Sequence, residues 1–312
     1  MRQAAINAVY ELAKRDPRIV FVGSDLGIGT LEKMKQEMPD RFYMEGVSEQ
    51  YMIGMAAGLA MEGFIPYLNT IATFLTRRCY EQIAIDLCAH KLPVRLLASG
   101  GGAVYAPLGP THMADEDIAI LRALPNMAVV APADAPEMKR LMEASVAWDG
   151  PMYIRFGKGG DPVVSSDERG FAIGRAIEMR RGDDVAFVGT GVMTNRALAA
   201  AELLAKDGVS CSVLHVHTIK PLDSNAILAA SARARLLVTV EEHTRIGGLG
   251  SAVAELLVDE GVSTRVLRLG FADAFFADYG SQDDIMRNNG LQPDQIAARV
   301  GEALGLPLPA LG

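Results

Sequence analysis

Short apolar runs alternate with helix-period stretches along the whole chain. Residues 18–25 (RIVFVGSD), 64–70 (FIPYLNT), 92–99 (LPVRLLAS), 127–134 (MAVVAPAD) and 151–156 (PMYIRF) each read as a buried strand bounded by Gly, Pro or Asp. Helices lie between them. The stretch 76–90 sets Cys79, Ile83 and Leu87 on one helical face, and 134–146 opens with Asp134 as a cap and Pro136 just inside. Strands alternating with helices predict a mostly parallel sheet covered on both faces. The segment 157–174 (GKGGDPVVSSDERGFAIG) interrupts this rhythm with Gly, Pro, Ser and Asp, so a domain boundary is expected there, dividing the chain into 1–163 and 164–312. A second series follows, with strands at 184–191, 211–218, 236–243 and 264–270 and helices near 194–207, 222–233 and 247–260. The expected architecture is α/β in two domains, each a mostly parallel sheet with helices on both faces.

Length and composition agree with two cores, since 312 residues of which 50% are hydrophobic can bury both. A net charge of -8 without any Lys/Arg-rich run argues against nucleic acid or anionic lipid as partner and favours small molecules or proteins. Cys79, Cys88 and Cys211 are odd in number and lack disulfide or zinc spacing, which fits a reducing compartment. The first 16 residues form an amphipathic charged helix rather than a leader, and no stretch is long and apolar enough to span a bilayer, so a cytoplasmic protein is expected.

One helix carries an anomaly. In "EGVSEQYMIGMAAGLAMEG" (45–63), Gly54, Ala56, Ala57, Gly58 and Ala60 permit close approach of another backbone, yet Glu49 stands at its start. A carboxyl buried at an interface is desolvated, which favours its protonated form and suits acid–base work. The alternative is a first-turn carboxylate favoured by the helix dipole, with Ser48 as cap. Further on, the "GTG" at 189–191 opens a helix as a phosphate loop could, but the rest of a GxGxxG is missing and a plain tight turn is the preferred reading.

The helix "GVSEQYMIGMAAGLAMEG", followed in order by "TFLTRRCYEQI" and "GPTHMADEDIAILRALPNM", resembles the pyrimidine-binding domain of the transketolase family of thiamine-diphosphate enzymes. "HVHTIKPLD" and "VEEHTRIGGLGSAVAELL" resemble that family's carboxy-terminal domain, so the resemblance covers nearly all of the chain. It implies that Glu49 hydrogen-bonds N1′ of the cofactor's aminopyrimidine and promotes the tautomer that removes the thiazolium C2 proton. It also implies that Phe74 stacks on the pyrimidine, that Tyr80 and Arg77 lie beside the cofactor, and that His112 contacts substrate oxygens and shuttles protons. The Gly/Pro-rich loop 100–112 before His112 supports exposure of that histidine.

Two departures bear on substrate. Leu108 stands four residues before His112, where sugar-phosphate transketolases usually carry an Asp, and Lys158 is the nearest match to the family's phosphate-holding Arg. The Gly-Asp-Gly and downstream Asn that hold the metal on the diphosphate do not occur in context, so this chain is expected to bind no metal itself. The resemblance therefore implies one subunit of a split transketolase, transferring a two-carbon ketol unit from a ketose, phosphorylated or otherwise anionic, to an aldehyde. A separate diphosphate-binding subunit would supply the rest of the thiamine diphosphate site with Mg2+ or Ca2+. Two copies of this chain are expected to pack together in an α2β2 assembly, with Glu49 desolvated only after assembly. A β subunit of a 2-oxo-acid dehydrogenase complex is the enzymatic alternative, and a noncatalytic assembly protein is the alternative of another class.

Overall fold

The computed structural model describes residues 1–24, 31–276 and 279–306. Asp25, at the end of the first expected strand, and residues 307–312 lie outside these. The first series runs α1 (Arg2–Arg15), β1 (Ile19–Gly23), α2 (Glu32–Glu37), β2 (Phe42–Met44), α3 (Glu49–Met61), β3 (Ile65–Ile71), α4 (Tyr80–Gln82), β4 (Arg95–Ser99), α5 (Asp117–Arg122), β5 (Ala128–Val130), α6 (Ala135–Ser145) and β6 (Met152–Phe156). The second runs β7 (Ile177–Arg180), β8 (Val185–Gly189), α7 (Met193–Lys206), β9 (Cys211–His215), β10 (Thr218–Lys220), α8 (Ser224–Arg233), β11 (Leu236–Thr244), α9 (Leu249–Asp259), β12 (Val266–Phe271), α10 (Gln282–Asn288) and α11 (Pro293–Leu304).

The first sheet has the order β10-β5-β6-β4-β3-β1-β2, parallel throughout except for β10, and the second has β12-β11-β8-β9-β7, parallel except for β7. Each is a mostly parallel sheet flanked by helices, as the periodicity predicts. On one face of the first sheet Met52, Ile53 and Ala56 of α3 pack with Leu75, Ile83 and Leu87. On the other, Ala5, Val9 and Leu12 of α1 meet Met138 and Leu141 of α6. Strands buried on both faces need apolar residues at every position, which is why they read as continuous runs.

Several local expectations differ. The stretch 76–90 is not one α-helix: Phe74–Arg78 and Ile83–Ala89 are π turns joined through α4. Thr76 Oγ1 donates to the Ala72 carbonyl at 2.9 Å, a back-bond that competes with the regular ladder. Cys79, Ile83 and Leu87 are nonetheless all fully buried. The strand expected over 211–218 stops at His215, and the chain crosses to the first sheet as β10. Asp134 caps α6 as read, accepting from Glu137 N at 2.9 Å. The GTG segment is a tight turn at a domain contact, with Gly191 N donating to the Ala131 carbonyl at 3.1 Å.

Candidate functional site

The carboxyl ends of β2, β3 and β4 lie along one edge of the first sheet, and each leads into a candidate residue. Glu49 opens α3 after β2, Phe74 begins the π turn after β3, and His112 ends the loop after β4. Strand registers bring Ile71 opposite Ser99, so the second and third of these segments leave the sheet side by side. Open α/β sheets carry ligands at such an edge.

A row of contacts joins the three. Glu49 is 2% exposed within the single chain, which corrects the expectation that only assembly buries it. Its Oε2 accepts from Arg78 Nη1 at 2.7 Å. The guanidinium of Arg78 in turn lies 4.7 Å from the centroid of the Phe74 ring, and Phe74 meets the His112 ring edge-on at 5.1 Å. Ser48 is the cap position of α3 but makes no capping bond; its hydroxyl donates to the Glu45 carbonyl at 2.8 Å instead. The alternative of a Ser48-capped first turn therefore fails in its side-chain half, and a guanidinium rather than the helix end alone answers the buried carboxylate.

The π turn explains why adjacent arginines serve different ends. Arg78 faces Glu49, whereas Arg77 faces the loop of His112: it donates to the Pro110 carbonyl at 3.1 Å, to Asp115 at 3.1 Å and to Glu116. Arg77, expected beside the cofactor, holds the loop through these contacts. Burial pushes the Asp115 carboxyl up to about 6. Burial also acts to raise Glu116, but hydrogen bonds from Arg77 and Asp115 carry it below its ordinary value.

The base of the loop is closed by paired bonds between Gly102 and Ala114, at 2.8 and 3.0 Å. Gly102 has φ +69°, and a Cβ there would stand 2.5 Å from the Glu242 carboxyl carbon, so only glycine allows this approach. Glu242 accepts from Ala103 N at 2.8 Å, while Arg155 donates to the carbonyls of Ala114 and Glu242. The "VEEH" segment of β11 therefore pins the His112 loop from the second domain. Beside it opens a cleft of about 630 Å³, lined by Arg77, Asp115, Glu116, Thr244, Asp273 and Phe275 among others.

The remaining expected residues are more dispersed. Leu108 is exposed in the turn before His112. Lys158 is exposed just after β6 and makes no hydrogen bond or ion pair among the described residues. Tyr80 is half-buried against the core beneath α3. Sequence reasoning missed Arg78, although an unpaired buried Glu49 called for a cation and the Arg77-Arg78 doublet offered one. It also missed Asn69 and Thr73, whose Oδ1 and Oγ1 are buried without partners among the described residues. No group of three or more His, Cys, Asp or Glu among the described residues could hold a metal ion, and no helix among them is long and apolar enough to cross a membrane.

Architecture and site define a class: a two-domain α/β protein whose candidate ligand edge is built on the first sheet and pinned by the second domain. The chain belongs to the transketolase family. Residues 1–160 match the model described as "Transketolase, pyrimidine binding domain" and residues 174–296 match "Transketolase, C-terminal domain". A putative uncharacterized transketolase family protein of Sinorhizobium fredii is 40% identical over 303 residues, covering 96% of this chain and 87% of that one. A 1-deoxy-D-xylulose-5-phosphate synthase of a Synechococcus strain is 38% identical over 299 residues, 94% of this chain but only 46% of the synthase. Among solved structures, a split gene transketolase described as an inactive beta4 tetramer superposes with a TM-score of 0.90 at 36% identity, covering 98% of each chain. A transketolase variant from Pichia stipitis, at 19% identity and TM-score 0.80, shares the fold.

Proposed function

We propose that this chain is the pyrimidine-binding subunit of a split, thiamine-diphosphate-dependent transketolase-like enzyme that moves a two-carbon ketol unit from an anionic ketose to an aldehyde. The row Glu49, Arg78, Phe74 and His112 along one sheet edge carries the reading. Glu49 supplies a buried oxygen for a ring nitrogen, Phe74 a half-buried aromatic face, and His112 an imidazole edge-on to that face. This donor set suits the aminopyrimidine end. The planar Arg78 guanidinium already lies over the Phe74 ring and bonds Glu49, so the space admits a flat group with a hydrogen-bonding edge. Bound thiamine diphosphate supplies a nucleophilic thiazolium carbon; the chain's part is to orient the ring and exclude water from it.

Within this reading His112, held by the Arg77 clamp, contacts substrate oxygens, and Leu108 offers an apolar surface where a carboxylate would grip a hydroxyl. Lys158 offers a cation for a phosphate, sulfonate or carboxylate tail. The diphosphate and its Mg2+ or Ca2+ fall to a partner subunit. Tyr51, Gly54, Gly58 and Met61 line one open face of α3, and no atom lies within 4 Å of a Cβ built on either glycine, which suits contact with a second copy in an α2β2 assembly. A second reading, a deoxyxylulose-phosphate-synthase-like condensation, is favoured by the 38% identity to such a synthase and by Leu108.

The test is reconstitution. The chain alone, given thiamine diphosphate and Mg2+, is expected to show no turnover, and adding a diphosphate-binding subunit to restore it, with the product separating ketol transfer from the synthase-like reaction. Strong activity from the chain alone contradicts the proposal.

A further inference from the structure

We infer that Arg78 is an internal stand-in for the cofactor's aminopyrimidine, occupying its place in the unloaded subunit and swinging out when the ring enters. The inference rests on the reading that Glu49 and Phe74 hold that ring. Three observations carry it. The guanidinium is planar and lies 4.7 Å from the Phe74 ring centroid, the face a flat heterocycle would need. The same group donates at 2.7 Å to Glu49 Oε2, the buried oxygen a ring nitrogen would need. Finally, the pair is unequal: Glu49 has 2% of its side chain exposed and Arg78 44%, so the carboxylate is fixed while the arginine can leave for water.

The chemistry of the two occupants is matched. A guanidinium and an aminopyrimidine protonated at N1′ are both flat and both present an N–H at their edge, so each can satisfy the aromatic face and the carboxylate at once. Without an occupant Glu49 would be a buried acid with no partner, which folded proteins avoid. Arg78 therefore keeps the empty site folded, and cofactor entry exchanges one partner of Glu49 for another. Arg77 cannot substitute, since it is committed to Pro110, Asp115 and Glu116 on the other side of the π turn.

A residue that competes with the ring has the opposite mutational signature from one that holds it. The full chain would be titrated with thiamine diphosphate and, separately, with 4-amino-5-hydroxymethyl-2-methylpyrimidine, binding being followed by ligand-observed NMR. Arg78→Met and Arg78→Gln are each expected to bind both probes about 5-fold or more tightly than the unsubstituted chain, because the internal competitor is gone. Their folding is checked by far-UV circular dichroism, and Glu49→Gln/Arg78→Gln, which leaves no unpaired charge, serves as the control for a fold defect. Binding that is equal, weaker or undetectable in folded Arg78 variants overturns the inference. Glu49→Gln and Phe74→Ala in the presence of Arg78 test the underlying reading separately: loss of affinity in both upholds it, and unchanged affinity in both removes it together with the stand-in.

Discussion

The seam between the two domains and the edge around Glu49 both bury charge, and they satisfy it in different ways. In the seam, Asp117 is fully buried and receives Tyr153 Oη at 2.6 Å and Arg155 Nε at 2.8 Å, while Arg155, itself 6% exposed, also donates to the Glu242 carbonyl. Nearby, His215 bonds Glu137 at 2.8 Å and Thr194 at 2.6 Å, all three without solvent contact. Every one of these partners is itself buried. At the Glu49 edge the partner is Arg78, nearly half exposed, and the neighbouring face of α3 presents open glycines. A chain that has finished its own packing looks like the seam; one that leaves room for a further component looks like the edge.

The largest effect is expected in the seam. Arg155→Met strands Asp117 in the interior and should cost about 3–5 kcal/mol of unfolding free energy in urea titrations. Adding Asp117→Asn should recover much of that loss. If the single substitution costs less than about 1 kcal/mol, Arg155 is not the partner that keeps Asp117 buried.

Next comes pH. Burial pushes the His217 imidazole down to about 4, with stacking on Phe171 at 4.4 Å filling its surroundings. Between its unfolded value near 6.5 and about 4 the unfolded chain binds the extra proton, so stability is complete above the upper limit and falls as pH drops through the window. The full loss is on the order of 3 kcal/mol. Asp115, raised to about 6 by burial, works in the opposite sense, costing stability as pH rises from about 4 to 6. Comparing the chain with His217→Gln at pH 7 and pH 4.5 isolates the histidine; parallel curves would rule out its contribution.

The smallest effect on the chain itself is expected at the open edge. Gly58→Leu should raise the stability of the lone chain by about 0.5–1 kcal/mol, because it removes a helix-interior glycine with space beside it. The same substitution should lower the mass of the assembly in solution, since an added side chain overfills the contact. A destabilised monomer, or unaltered association, would contradict the assignment of that face.

Much of this was legible in the sequence, for physical reasons that differ by region. Fully buried parallel strands announce themselves as apolar runs, and Asp134 followed by Pro136 marks a helix start. The short strands β2, β7 and β10 were not legible, because three or four residues are too few to establish a period. Helices α10 and α11 went unread although Ser281 with Asp284 forms a capping box and Pro293 opens the last helix, signals that periodicity alone does not weigh. At the site, the Glu49, Phe74 and His112 motifs were readable as residue types in order. The separate duties of Arg77 and Arg78 were not, since they depend on a π turn that shifts the facing of consecutive side chains.

Glu49 is proposed as the carboxyl serving the cofactor's pyrimidine. Exchange of the thiazolium C2 proton of thiamine diphosphate, followed by NMR in the assembled enzyme, reads this most directly. Glu49→Gln preserves the side chain's size but cannot hold or pass the proton, so exchange should slow by about 100-fold or more relative to the unsubstituted enzyme at the same cofactor occupancy. An unchanged exchange rate at full occupancy would contradict the claim and leave Glu49 as no more than the buried partner of Arg78.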